Sequence, residues 1–188
     1  AKNRSRFNKI TGTRFAAILG ANQYSSAVKT WAGMVNIYKE LIDPTLAHAG
    51  QVIEPKVREY TEGILHLKFK SYDPQAIGFD IFSDNPVFGG IPDGEPLTDN
   101  QLDYLSNKPM LEIKTSSIDK LTYVKQNGGL VMVKNEDGIP VVKAKGEKRA
   151  SWYRGDKFII PTEYMLQLGL YLPLRHARHG VFSVAFLR

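Results

Sequence analysis

Two short segments constrain this chain more than anything else in it. They are Ile91-Pro92-Asp93-Gly94 and, with its glutamate 19 residues after the aspartate, Leu111-Glu112-Ile113-Lys114. Alternate residues of a strand project to the same face, so Glu112 and Lys114 would point together while Leu111 and Ile113 face a core. Such a strand belongs inside a sheet. Pro-Asp-Gly is turn chemistry, and a turn can carry Asp93 beside the charged face. Two carboxylates make a hard oxygen site suited to Mg²⁺ or Mn²⁺, with an ammonium where an attacking water or a phosphate oxygen would sit. The plainer alternatives are a solvated Glu-x-Lys face and an ordinary Asp-Gly turn.

At 188 residues with 43% hydrophobic content, the chain reads as a single domain over 1–188 with a substantial core. The absence of cysteine excludes disulfides, zinc-thiolate sites and iron–sulfur clusters. It suits a reducing compartment, and a cytoplasmic location is expected. No apolar run approaches the ~18 residues of a membrane span, and Phe15–Gly20 is too short for a signal peptide. The net charge of +6 is unevenly placed: residues 1–40 carry seven Lys/Arg against one acid, and 41–113 carry five against twelve. Residues 114–157 carry ten Lys/Arg against five acids. Basic arms around an acidic, metal-binding centre fit a polyanionic partner; solvated surface charge would give the same pattern.

Periodicity predicts helices first. Thr11 or Thr13 can cap a short one through Leu19, closed by Gly20. Ser26 caps a longer one carrying Val28, Trp31, Met34, Val35, Tyr38, Leu41 and Ile42 at helical spacing, stopped by Asp43-Pro44. Residues 45–62 read as a third, with a kink or break at Pro55. The period then changes. Ile64–Phe69, Ile77–Phe82, Pro86–Ile91 and Met110–Thr115 look like strands, and Asn135–Gly138 is placed as the turn of a hairpin between 130–133 and 139–142. A final helix over Thr162–Leu172 precedes a strand over Val181–Leu187. This order predicts a mixed α/β layer arrangement, mostly antiparallel, with the Glu112 strand inside the sheet.

Other polar residues are candidates for the same site. On a helix, Glu54 shares a face with Gln51 and Arg58, and a surface ion pair with Arg58 is the simple alternative. Gln167 interrupts an apolar helix and needs a partner if buried, for which Lys114 is a candidate; a half-exposed rim position is the alternative. In residues 120–157, Lys143, Lys145, Lys148, Arg149 and Arg154 surround Trp152 and Tyr153, a mixture suited to nucleic-acid backbone or unstacked bases. The alternative there is an exposed hairpin with Trp152 in the core. His176 and His179 read as a basic helix end rather than metal ligands.

Taken in order, the blocks resemble the lambda-exonuclease-like (YqaJ-like) viral recombinase family of the Asp…Glu-x-Lys, or PD-(D/E)XK, nucleases. The blocks are Arg6 with Ile10-Thr11-Gly12-Thr13, Gly50…Glu54-Pro55, Pro92-Asp93-Gly94, Leu111 to Thr115, and Tyr164 to Gln167. They run from residue 6 to about residue 172. The resemblance implies an α/β fold with a restriction-endonuclease-like core, a central mixed β-sheet flanked by helices, and here a basic β-hairpin insertion over 120–157. It implies metal-dependent phosphodiester hydrolysis of DNA, most simply as a 5′ to 3′ exonuclease on duplex ends in phage-type recombination. Asp93, Glu112, the Ile113 carbonyl and Glu54 would hold one or two Mg²⁺ or Mn²⁺ ions, Lys114 would serve the water, and Gln167 would orient Lys114. Arg6 and Thr13 match a 5′-phosphate pocket. A single-strand annealing protein is the implied protein partner, and relatives form a ring-shaped trimer, a homo-oligomer. The chain departs from the pattern at Thr13, where the family has Ser, and at Gly169, where a second Gln is usual. It also carries the insertion and lacks a C-terminal extension, and both changes fall where trimer contacts would lie.

Two other functions are open on the sequence. One is an endonuclease of the same fold, for restriction or repair. The other is a DNA-binding protein without turnover, against which stand the intact acidic and lysine positions.

Overall fold

A computed structural model of the chain describes residues 8–22, 24–38, 44–97, 108–126 and 129–187. In chain order it has α1 (Gly12–Ile18), α2 (Ala27–Met34), α3 (Pro44–Leu65), β1 (Phe69–Lys70), β2 (Glu95–Pro96), β3 (Met110–Ser117), β4 (Lys120–Leu121) and β5 (Tyr123–Gln126). There follow β6 (Gly129–Met132), β7 (Val142–Ala144), α4 (Glu147–Ala150), β8 (Tyr153–Arg154), β9 (Lys157–Phe158), α5 (Thr162–Leu174) and β10 (Gly180–Leu187). The architecture is mixed α/β. Among the described residues the strands form two-stranded ladders rather than one continuous sheet. β3 pairs with β10; Met110 N donates to His179 O and Ile118 N to Leu187 O, so the two strands run in the same direction. Two compact units are distinguished, one drawn from 1–39, 60–112 and 161–182, the other from 40–59, 113–160 and 183–188.

In the first unit, Ser26 caps α2 as predicted, its hydroxyl accepting from Lys29 N at 3.2 Å. The helix ends at Met34, well short of Ile42. Asn36 takes a left-handed φ of 63°, which Asn tolerates better than most residues. Ile37 N then turns back to Ala32 O, a Schellman-type close. The Asp43 stop lies outside the described residues. The strand predicted over Ile77–Phe82 is a series of turns, because Gly78 and Phe79 are both left-handed and Asp73 accepts from Gln75 N at 2.9 Å. Pro86–Ile91 yields one parallel bridge, between Phe88 and Ile10. The strand expected from Ile64 is displaced, since α3 runs on to Leu65 and β1 starts only at Phe69.

The core of this unit gathers Phe82, Met110, Leu168 and Tyr171, with the Phe82 and Tyr171 rings stacked at 5.9 Å. Beside it lies a buried ion pair. Lys9 Nζ donates to Asp80 Oδ2 at 2.7 Å and to Phe82 O at 2.7 Å, and Asp80 Oδ1 accepts from Phe82 N and Gly90 N. Burial works to raise the Asp80 carboxyl, but the Lys9 ammonium and the two amides outweigh it and hold the group below the usual carboxylate range. This pair fastens the segment leading into α1 to the 80–90 loop.

In the second unit, α3 passes through Pro55 without ending. β5 and β6 form an antiparallel hairpin, with Tyr123 opposite Met132. The turn at Asn135–Gly138 forms, the Asn135 side chain accepting from Ile139 N at 2.8 Å, but its arms meet only at the Lys134–Pro140 bridge. The following strand pairs instead with β4. Trp152 is 1% exposed. It stacks on Phe158 at 5.8 Å and meets Phe186 edge-on at 5.9 Å, so the indole is a core residue here. Its proposed contact with DNA is corrected on that ground: a buried ring has no face to offer a base.

Candidate active site

The pairing that builds the site is a single bridge. Gly94 N donates to Leu111 O at 3.1 Å and Leu111 N to Gly94 O at 2.9 Å, an antiparallel bridge. Asp93, in a bend, and Glu112, on β3, are the residues that flank this bridge on the same side. In an antiparallel ladder, residues that flank a bridge on the same side share a face. Gly94 and Leu111 occupy the other face. A Cβ on Gly94 would lie 3.0 Å from Phe69 Cβ and 3.1 Å from Leu111 Cβ, so the strand approaches this closely only because the position is glycine.

Glu112 has no exposed surface. Its Oε1 accepts from Gln167 Nε2 at 2.5 Å. The amide that sequence reasoning paired with Lys114 thus rests on Glu112, reached from α5 one turn before the core residue Tyr171. α1 packs on the same stretch: a Cβ on Gly12 would meet Gln167 Cγ at 2.5 Å and Gln167 O at 3.1 Å. Gly12 N also donates to Tyr171 Oη at 3.3 Å. Replacing Gly12 by alanine is expected to cost about 1–3 kcal/mol through overpacking and to shift Gln167 on Glu112. Urea denaturation and a DNA cleavage assay check both effects, and an unaltered variant in both would show that the contact does not matter.

A second network steadies β2, two residues after Asp93. Glu95 is 8% exposed and accepts from Tyr72 Oη and from Arg175 Nε, with Arg175 Nη2 on its other oxygen at 3.0 Å. Burial first, and then the Glu95 carboxylate, push the Tyr72 phenol up to about 12, so it remains a donor. Sequence reasoning did not find Tyr72, Glu95 or Arg175, nor the Lys9–Asp80 pair. All are separated by long stretches of chain and belong to no recognisable spacing.

The other candidates fall as follows. Ile113 is buried and Lys114 half-buried on β3, where alternation places Lys114 on the face of Glu112. Glu54 Oε1 accepts from Arg58 Nη2 at 2.6 Å, four residues on in α3. Thr13 is exposed on α1, and Arg6 lies outside the described residues. Lys143, Lys145, Arg149 and Arg154 are exposed and Lys148 half-buried; Arg149 lies over the Phe186 ring at 5.7 Å.

Among the described residues, no three His, Cys, Asp or Glu side chains gather closely enough to hold a metal ion. The carboxylates of Asp93 and Glu112 still have the right chemistry for one. Both donors are hard carboxylate oxygens. One of them is removed from water, where an anion is costly unless a cation or donors meet it.

Residues 3–174 match the YqaJ-like viral recombinase domain. The chain belongs to the YqaJ-like viral recombinase family. It is 52% identical over 189 residues to the uncharacterized protein MG373 of Mycoplasma genitalium, a match covering 100% of this chain and 67% of that protein. To the uncharacterized MG373 homolog of Mycoplasma pneumoniae it is 50% identical over 188 residues, covering 99% and 67%. The family match spans every block from Gly50 through Gln167, including the bridge at Gly94 and Leu111. A YqaJ-like recombinase implies DNA as substrate and a nuclease of the phage recombination type. No helix among the described residues is long and apolar enough to cross a membrane.

Proposed function

We propose that this YqaJ-like chain is a divalent-metal-dependent deoxyribonuclease that degrades duplex DNA from its ends in the 5′ to 3′ direction, on a restriction-endonuclease-like core. The observation that supports the reading is the reciprocal Gly94–Leu111 bridge, which joins the Pro-Asp-Gly segment to the strand of Glu-Ile-Lys. Asp93 and Glu112, with the Ile113 carbonyl and Glu54, would hold one or two Mg²⁺ or Mn²⁺ ions. Such ions supply Lewis acidity and an acidified water to phosphodiester hydrolysis.

The chain's own groups do the rest. Gln167 fixes the Glu112 carboxylate by its amide N–H. Lys114, two residues along the same strand, would hold the attacking water as an ammonium or, as a neutral amine, help deprotonate it. Arg6 and Thr13 bind the 5′-phosphate, the guanidinium by its planar donor fork. Lys143, Lys145, Lys148, Arg149 and Arg154 grip the backbone. Release of a single-stranded product makes an annealing protein a natural partner.

One experiment tests the reading: incubation with linear and circular duplex, with and without a 5′-phosphate, in Mg²⁺ and in EDTA. Linear DNA with a 5′-phosphate is expected to be consumed in Mg²⁺ and untouched in EDTA, and Arg6→Ala should erase the preference for phosphorylated ends. Circular DNA cut as fast as linear would make the enzyme an endonuclease. Binding without turnover under all conditions would make it a DNA-binding protein.

A further inference from the structure

We propose that the β8–β9 hairpin is a stacking ledge for the bases of unpaired nucleotides at a DNA end. The inference rests on the reading of DNA as substrate and adds a site to it. Tyr153 and Phe158 are directly paired across the hairpin, 39% and 45% exposed, with ring centroids 5.5 Å apart at 78°. Trp152 fills the core beneath and stacks on Phe158 at 5.8 Å. Burial of the indole leaves Tyr153 and Phe158 displayed outward rather than needed inside. The ledge is stiff, because its connection is two residues long and opens on Gly155 at a positive φ of 59°, a conformation glycine adopts without strain. Arg154 and Lys157 are paired on the alternate positions of the same hairpin, and both are exposed.

A partly exposed Tyr–Phe pair held on a basic hairpin suits a flat, anionic, sequence-independent ligand. That is what unpaired nucleotides present: a π-face on every base and a phosphate on every sugar. In a blunt duplex only the outer face of the terminal base pair is free.

The test compares a 5′-phosphorylated duplex bearing a short single-stranded thymidine tail with its blunt counterpart, by fluorescence anisotropy in EDTA so that no cleavage intervenes. The wild-type chain should bind the tailed DNA more tightly. The Tyr153→Leu/Phe158→Leu variant, which keeps apolar bulk and removes the rings, should lose about tenfold or more on tailed DNA, the size expected for one or two lost base contacts. Tyr153→Phe and Phe158→Tyr, which keep a ring, should bind as wild type. Independently of any variant, 5-iododeoxyuridine in the tail of wild-type complexes should crosslink to Tyr153 or Phe158 on irradiation. Equal affinity of the leucine variant and wild type for tailed DNA, an equal loss on blunt duplex, or crosslinks confined to other residues would each overturn the ledge. If the wild-type chain fails to degrade DNA in Mg²⁺ yet gives the crosslink, the nuclease reading fails and the ledge stands.

Discussion

Glu112→Gln is expected to lower the rate of DNA cleavage by about three orders of magnitude or more while the protein stays folded and binds duplex. The substitution keeps the volume of a side chain with no exposed surface. It also keeps an oxygen to accept from Gln167 Nε2. What it removes is the negative charge. A lost anionic metal ligand costs several kcal/mol of transition-state stabilisation, and each ~1.4 kcal/mol is a factor of ten in rate. On the proposed reading, Lys114→Ala should fall by a comparable factor with any Mg²⁺ dependence unchanged, since the ammonium would serve the water and not the ions. Steady-state cleavage of a labelled linear duplex, with binding measured in parallel in EDTA, reads both effects. Activity of either variant within tenfold of wild type would mean that catalysis happens elsewhere.

Lys9→Met is expected to be the most destabilising single change in the first unit, by about 3–5 kcal/mol, the usual cost of stranding one partner of a buried ion pair. For a chain of this size that corresponds to a fall in Tm of roughly 6–20 °C. The carboxylate left behind has no exposed side-chain surface and would lose the ammonium while keeping its amide donors from Phe82 and Gly90. Adding Asp80→Asn should recover part of the loss, because the stranded charge disappears with it. The pH dependence has a definite sign. The Asp80 carboxyl titrates lower in the folded than in the unfolded state, so its contribution is full above the ordinary carboxylate range. It is lost as pH falls through the depressed folded value. The gap between wild type and variant in urea denaturation should therefore close on acidification below about pH 4, near the ordinary pKa of Asp. A loss under 1 kcal/mol at neutral pH would show that the pair does not anchor the segment before α1.

The alternation of charge and apolarity at 111–114 made a buried strand legible, because period two leaves little else that such a run can do. Ser26 announced a helix start, and the ordered blocks announced the family. The ends of elements were less legible. α2 stops at Met34 because Asn36 adopts a left-handed turn, a choice no apolar spacing encodes. The 77–82 run reads as a strand by composition, yet two consecutive left-handed residues turn it.

The sequence by itself determined which groups are available for chemistry: two acids and a lysine in a set order, a glutamine on a late helix, and no thiols. Only the tertiary structure decided their partners. The Gly94–Leu111 bridge joined the Pro-Asp-Gly turn to β3, the packing of α1 on α5 through Gly12 placed Gln167 on Glu112, and the aromatic cluster took Trp152 inside while leaving Tyr153 and Phe158 partly exposed. Hydrogen-bond register and side-chain packing are relations between residues far apart in the chain. Local pattern carries the chemistry of a site, and long-range contacts carry its geometry.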